Sequence, residues 1–169
     1  MIYDLTVPQF IKTLKNLDAM LDKAAGFADS KKIEMEVLMN SRLAPDQFPL
    51  TRQIQMICDT AKLGASRLTG KAAPVQEDNE KSLSEIKARI QSVITYLETF
   101  KVEDYKNAAT ATITQPRWEG KTLTGMEYTI HHVIPNFYFH VTTAYSILRH
   151  NGVDVGKKDY LGTMPYKMP

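Results

Sequence analysis

The sequence predicts an all-α protein, an antiparallel four-helix bundle with a small β-hairpin before the last helix. Four segments repeat apolar residues at spacings of three and four, which is the pattern of an amphipathic helix. Residues that typically start or stop helices flank these segments, and prolines and glycines separate them. A short stretch with strand-like alternation lies just before the fourth segment.

The first long helix is predicted over residues 6–28. Thr6 and Gln9 have the spacing of a capping box, and Pro8 falls in the first turn, where a missing N–H costs little. One face of the segment is apolar and comprises Phe10, Leu14, Leu17, Leu21, Ala24 and Ala28.

Two further long helices follow. Residues 31–40 can form a short helix, and the second long helix is predicted over residues 50–68, with Gly70 placed to end it. Ser82 and Glu85 repeat the capping-box spacing and predict the start of the third long helix. Its apolar positions are Leu83, Ile86, Ile90, Val93, Ile94 and Leu97.

A small hairpin is predicted between the third and fourth helices. Residues 110–114 alternate as in a strand, Glu119 and Gly120 can turn the chain, and residues 121–123 return it. Trp118 lies beside the turn.

The fourth helix is predicted to begin at Thr124, which forms a third capping-box pattern with Glu127, and to end at Gly152. Pro135 lies inside it, so a kink or a lost backbone hydrogen bond is expected nearby. Residues 153–169 are expected to cross the surface as irregular chain.

Four amphipathic helices with partly long connections favour a bundle whose core takes one apolar stripe from each helix. An orthogonal helical array is the alternative, because periodicity does not fix the angles between helices. A chain of 169 residues, of which 43% are hydrophobic, fits one domain over residues 1–169.

Charge and composition exclude several classes of partner. The 21 basic and 19 acidic residues are mixed along the chain, so no basic patch predicts binding to DNA or RNA. No stretch approaches the roughly 18 apolar residues of a membrane span, and the first residues lack the pattern of a secretion signal. A lone cysteine, Cys58, fits a reducing compartment. We therefore expect a cytoplasmic protein without nucleic-acid or membrane partners.

The histidines His131, His132, His140 and His150 all lie in or just after the fourth helix. On a helical wheel His132, Asn136 and His140 follow one flank, with His140 nearest the apolar stripe. One hypothesis is that His140, with or without His132, faces the bundle interior and binds a divalent transition metal. The alternative is a buried histidine satisfied by a hydrogen bond, which we favour because a metal needs about three protein ligands.

Arg52, Gln55 and Asp59 lie together on the second long helix, away from its apolar stripe. They can form a polar cluster in which Asp59 orients a histidine or ligates a metal. A solvated helix face explains the same pattern and is the interpretation that we favour. Cys58 lies on the apolar stripe, where a buried structural thiol is expected. The sequence contains no phosphate-binding glycine loop, nucleophile elbow, paired-cysteine zinc pattern or His-Glu-x-x-His motif.

Two segments carry a resemblance to a known family. Residues 42–53 (RLAPDQFPLTRQ) and 135–152 (PNFYFHVTTAYSILRHNG) resemble those of an uncharacterised family related to the DinB/YfiT-like helix bundles, and the resemblance spans nearly the whole chain. It implies a DinB-like bundle, often a homodimer, with a pocket in which members bind a metal through three histidines. Relatives include thiol-dependent S-transferases and hydrolases.

In that family pattern the second long helix supplies one histidine and the fourth supplies two, four residues apart. Here His140 matches the second of this pair, Asn136 stands at the first position, and the second helix has no histidine. A zinc or nickel ion at His140 would therefore occupy a modified or degenerate site, since asparagine is a weak ligand. Asn136 and His140, with Arg52, Gln55 or Asp59 across the bundle, can instead bind a small polar molecule.

Two functions stay open. The first is a DinB-like enzyme in which His140 acts as a metal ligand or an acid/base group. The second is a non-enzymatic protein that binds a small-molecule ligand or acts as a dimeric interaction protein, with His140 in a structural role.

Overall fold

A computed structural model describes residues 1–168 and contains four long helices. The helices are, in chain order, α1 (Ile2–Lys31), α2 (Met35–Met39), α3 (Leu50–Thr69), α4 (Leu83–Glu98), α5 (Gly125–Tyr128), α6 (Ile134–His150) and α7 (Lys157–Leu161). α3 packs against α4 and α6, and α1 packs against the same two helices. The predicted antiparallel four-helix bundle of α1, α3, α4 and α6 is confirmed.

α1 begins at Ile2, well before the predicted start at Thr6. The predicted capping box of Thr6 and Gln9 is wrong, because the Thr6 hydroxyl donates to the Ile2 carbonyl oxygen (2.7 Å) from inside the helix. Pro8 therefore lies within α1, where it removes one backbone hydrogen bond. Burial of Ile2 and Val7 in the core offsets that loss, so packing decides where the helix begins.

Local sequence sets the end of α3 and the start of α4, as predicted. Gly70 ends α3 with a φ of 78°, a left-handed conformation that glycine adopts without steric cost. Ser82 starts α4 by accepting from the Glu85 N–H (3.3 Å), while the Glu85 carboxylate accepts from the Ser82 N–H (2.9 Å). The connection over residues 71–82 therefore has two well-defined ends.

The predicted hairpin is present as two short antiparallel strands. β1 (Thr112–Ile113) pairs with β2 (Leu123–Thr124), and Ile113 lies opposite Leu123. The loop between the strands contains a 3₁₀ turn at Pro116–Trp118 and is longer than the two-residue turn of a tight hairpin. This loop reaches across to α3.

The last long helical segment begins at the predicted cap and contains a π-helical turn. The Thr124 hydroxyl accepts from the Glu127 N–H and starts α5. The π-helical turn, Thr129–Val133, joins α5 to α6. Pro135 follows at once, and because its nitrogen cannot donate, the regular hydrogen-bond ladder is interrupted there. The irregularity expected near Pro135 thus takes the form of a wider helical turn.

Residues 153–168 contain a short helix and two buried side chains where the sequence predicts irregular chain on the surface. Val153 and Val155 are buried, and α7 packs against α1. The prediction of an irregular tail is wrong for this helix, because the two valines anchor the segment that leads into it. Pro169 lies outside the described residues.

Buried apolar residues from all four long helices meet in one hydrophobic core. In it Phe10 on α1 contacts Phe137 on α6, with ring centroids 4.2 Å apart. Within residues 1–168, no helix combines the length and the apolar composition that crossing a bilayer would require.

Gly125 and Gly26 differ in how closely other residues pack against them. A Cβ at Gly125 would lie 1.7 Å from the Ala108 carbonyl oxygen, whereas one at Gly26 would meet no atom within 4 Å. We expect Gly125→Ala to lower the free energy of unfolding by about 2 kcal/mol or more, because backbone must move. Gly26→Ala should raise it by about 0.5–1 kcal/mol, because alanine favours a helix interior. Urea unfolding measures both changes, and equal midpoints for the two variants would contradict this packing.

Candidate functional site

A cavity of about 330 Å³ lies between α3, the last helical segment and the loop that joins β1 to β2. It is termed here the arginine cavity, because three arginines line it. The lining residues are Arg52, Met56, Asp59, Thr60, Leu63 and Arg67 from α3, Gln115, Pro116 and Arg117 from the loop, and Tyr128, His132 and Asn136 from the last helical segment.

Helical spacing explains the contribution of α3. Its lining residues mostly recur at intervals of three and four, which places them along one face of the helix. That face carries both polar and apolar side chains and adjoins the apolar stripe that α3 buries in the core. The cavity is therefore an open groove along α3, bordered on its outer side by the hairpin loop.

The π-helical turn presents an aromatic ring to the cavity, and the residue before the turn presents another. Tyr128 and His132 stack with ring centroids 5.3 Å apart and an angle of 25° between the planes. A π-helical turn is wider than an α-helical one, so it changes which side chains share a face. Gly64 on α3 allows the turn to approach closely, since a Cβ there would lie 2.9 Å from Val133 Cγ1.

Arg67 and Arg117 have only neutral partners in the cavity. Arg67 Nη1 donates to the Tyr128 hydroxyl (3.0 Å), and Arg117 Nη2 lies 3.4 Å from His132 Nε2. Neither guanidinium forms a salt bridge with any group in residues 1–168. Two positive charges therefore line the cavity without a carboxylate on either.

Gln115 adds a hydrogen-bond donor without an acceptor. Its side chain lines the cavity, the residue is 7% exposed, and Nε2 has no partner among the described residues. A buried donor left in this state costs about 1–3 kcal/mol.

Burial shifts the pKa of both aromatic groups toward their uncharged forms. It raises the pKa of the Tyr128 phenol, although the hydrogen bond from Arg67 acts in the opposite direction. Burial also lowers the pKa of the His132 imidazole, and the charges of Arg117 and Arg67 lower it further. At neutral pH both groups are uncharged, so neither one balances the two arginines.

A buried ion-pair network behind the cavity orients Asp59. Arg89 on α4 is 4% exposed and pairs with Asp59 (2.9 Å), Asp78 (3.0 Å) and Glu80 (2.9 Å). Lys62 Nζ lies 3.2 Å from the same Asp59 oxygen, Oδ1, that Arg89 contacts. Burial acts to raise the pKa of Glu80, but hydrogen bonds, above all that from Arg89, outweigh it and lower the pKa. Glu80 is therefore a charged partner of Arg89 at neutral pH.

Four of the six residues predicted for a pocket line the arginine cavity, namely Arg52, Asp59, His132 and Asn136. Gln55 does not. It is 5% exposed, accepts from Arg52 (3.0 Å) and donates to Glu80 (2.9 Å), and it lines a second cavity that shares Arg52. The interpretation of this face of α3 as solvated is wrong for Gln55, which the 71–82 connection covers through these bonds, whereas Arg52 and Asp59 stay partly exposed.

His140, the sixth predicted residue, does not line the arginine cavity. It is 6% exposed, and its Nδ1 lies 2.7 Å from Gln53 Oε1. Gln53 Nε2 in turn donates to the Phe48 carbonyl oxygen (3.0 Å). Burial, with a smaller effect from Arg52, lowers the pKa of His140 to about 4. The ring is therefore neutral at pH 7 and donates its Nδ1–H to Gln53, which is the geometry of a structural histidine.

The residues around His140 and Asn136 do not fit a transition-metal site. Asn136 Nδ2 donates to Thr60 Oγ1 (2.7 Å), and His140 Nδ1 is bonded to Gln53. The part of the chain that the structure describes has no group of three His, Cys, Asp or Glu residues that could hold a metal. Burial also raises the pKa of the Cys58 thiol to about 12, so this residue supplies no thiolate. A metal beside His140 would have a single imidazole ligand.

Sequence patterns did not single out Gln115, Arg117, Arg67 or Tyr128. Arg67 follows Arg52 on the same face of α3, so the helical wheel that grouped Arg52 with Asp59 could have included it. Gln115 and Arg117 lie in a loop, and only the path of the hairpin brings them to α3.

The fold and the cavity define a four-helix-bundle protein with a polar site between two of its helices. The chain belongs to the DUF1993 family, described as a domain of unknown function, whose model matches residues 2–161. It is similar to the solved structure of a DinB family member protein from Shewanella denitrificans, with 64% identity over 100% of this chain and 96% of that chain and a TM-score of 0.97. None of the curated proteins matches it. The predicted membership of an uncharacterised DinB-like family is confirmed.

The buried guanidinium of Arg89 should be essential for stability. Arg89→Leu removes the cation and leaves three carboxylates without it, so we expect a loss of about 3–5 kcal/mol in the free energy of unfolding. The matched control is Lys15→Leu, which breaks an exposed pair with Glu98 (3.4 Å) and should cost less than about 1 kcal/mol. Urea unfolding compares the two, and similar losses would contradict a structural role for Arg89.

His140 should make stability depend on pH. Its pKa is about 4 in the fold and near 6.5 when unfolded. Above the higher value both states are neutral and stability is complete. As the pH falls through this window only the unfolded state takes up the proton, so stability falls by up to about 1.4 kcal/mol per pH unit. Below about pH 4 the loss from this group ends.

Urea unfolding at a series of pH values should therefore give a steeper profile for the unmodified chain than for His140→Gln, whose amide can still bond to Gln53. Parallel profiles between pH 6.5 and 4 would show that His140 is not held neutral.

Proposed function

We propose that the protein binds a small organic anion, a carboxylate or a phosphate ester, in the arginine cavity. The observation that carries the proposal is the pairing of Arg67 and Arg117 with neutral partners only. Guanidinium groups bind carboxylate and phosphate oxygens through short, charge-assisted hydrogen bonds. Two such groups in one cavity favour an anionic ligand.

Electrostatics supports this assignment. Arg67 is half-buried and Arg117 is exposed, so solvent screens the repulsion between their charges only in part, and the neutral His132 and Tyr128 do not reduce it. A bound anion would replace this repulsion with attraction. Ligand binding therefore relieves an unfavourable feature of the free protein.

The size and lining of the cavity suit a small molecule. Its volume of about 330 Å³ lies at the lower end of the range for ligand sites. Met56, Leu63 and Pro116 add apolar surface between the polar groups. A compact organic acid or phosphate ester with a short carbon chain matches this combination.

This proposal favours the ligand-binding alternative over a metal-dependent enzyme centred on His140. His140 is bonded to Gln53, and it lacks the neighbouring ligands that metal chemistry needs. Of the predicted residues, Arg52, Asp59, His132 and Asn136 belong to the proposed site. Assembly as a homodimer stays a prediction from the family resemblance.

Charge removal at the cavity tests the proposal. Arg67→Gln and Arg117→Gln should each weaken binding of butyrate and of inorganic phosphate about tenfold, because each removes a charge-assisted hydrogen bond. NMR titration of isotope-labelled protein gives the affinity and shows whether the shifted signals belong to cavity residues.

The matched control is Arg149→Gln, which removes the same charge about 20 Å further along α6 than Asn136. It should leave both affinities unchanged. Equal weakening by all three variants, or no saturable shift with either anion, would refute the proposed function.

A further inference from the structure

The middle of the arginine cavity offers hydrogen-bond acceptors. Asp59 Oδ1 receives both Arg89 (2.9 Å) and Lys62 (3.2 Å). The second carboxylate oxygen, Oδ2, has no partner in residues 1–168, and Asp59 lines the cavity. One oxygen of a fixed carboxylate is thus left for a ligand.

Asn136 supplies a second acceptor beside it. The Thr60 hydroxyl donates to the Met56 carbonyl oxygen (2.7 Å), so only its lone pairs remain for Asn136. Asn136 must therefore present its NH₂ group to Thr60 Oγ1 (2.7 Å), and the orientation of the amide follows. Its carbonyl oxygen, Oδ1, is left without a partner among the described residues.

Asp59 and Arg67 lie at separate positions along the cavity face of α3. Asp59 and Arg67 lie two turns apart on α3, about 12 Å along the axis. Side chains on a helix lean toward its N-terminus, so the long Arg67 side chain shortens this gap. Leu63 lines the cavity between Asp59 and Arg67, where its apolar side chain can contact a short carbon chain of the ligand.

We propose that the ligand is a hydroxylated organic anion, with its anionic group at Arg67 and Arg117 and its hydroxyl proton shared in one bifurcated hydrogen bond between Asp59 and Asn136. This inference rests on the proposed function. The site should bind a hydroxyl in preference to an ammonium group, although both groups donate hydrogen bonds. The cations Arg52, Lys62 and Arg89 already balance the three carboxylates Asp59, Asp78 and Glu80, so a ligand ammonium would add an unbalanced positive charge and be repelled. A neutral donor meets no such repulsion.

Three probes of equal chain length test the inference, namely butyrate, 4-hydroxybutyrate and 4-aminobutyrate. NMR titration at neutral pH should show 4-hydroxybutyrate binding about tenfold tighter than butyrate, because a hydrogen bond to a charged acceptor is gained. The ammonium of 4-aminobutyrate should give no such gain. Equal affinities for butyrate and 4-hydroxybutyrate, or tightest binding by 4-aminobutyrate, would overturn the inference and leave the proposed function standing.

Variants of the acceptors complete the test. Asp59→Asn should reduce the preference for 4-hydroxybutyrate over butyrate while butyrate still binds. Because Asp59 also pairs with Arg89, Asn136→Ala serves as a second variant outside the ion-pair network and should reduce the preference as well. An unchanged preference in Asn136→Ala overturns the inference. Failure of all three probes and of inorganic phosphate to bind the unmodified protein would instead refute the proposed function itself.

Discussion

The burial of one guanidinium, that of Arg89, determines how the site is built. A buried cation must be paired, because desolvation of an unpaired charge costs several kcal/mol. Its partners come from α3 (Asp59) and from the 71–82 connection (Asp78 and Glu80). Pairing holds the connection over α3, partly covers a face that would otherwise be solvated, and leaves one oxygen of Asp59 without a partner in residues 1–168. The same contacts therefore support both stability and the proposed site.

The opposite wall of the cavity depends on an irregular helix. The π-helical turn before Pro135 lies against α3 at Gly64, where a larger residue would meet Val133. Tyr128, just before the turn, and His132, within it, stack beside Arg67, as residues four apart on a helix can. π-Helical turns are frequent at functional sites, and here the turn and the polar cavity coincide.

His140 illustrates why a histidine on an apolar flank is ambiguous. Its position on α6 matches that of a metal ligand in the related bundles, but its hydrogen bond goes to Gln53. An amide carbonyl accepts from a neutral imidazole, and burial keeps the ring neutral. With Asn136 bonded to Thr60, the positions that resemble a metal-binding pattern contribute to packing and to the cavity wall instead.

Sequence alone determined the helices and strands whose formation depends on signals from neighbouring residues. Capping boxes at Ser82 and Thr124, the glycine after α3 and the apolar stripes predicted the bundle and the hairpin, because these signals act within one or two helical turns. Tertiary structure decided the start of α1, the formation of α7, the burial of Arg89 and the approach of Arg117 to Arg67. Each of these depends on contacts between residues distant in the chain, and the energy of such contacts exists only after the chain has folded.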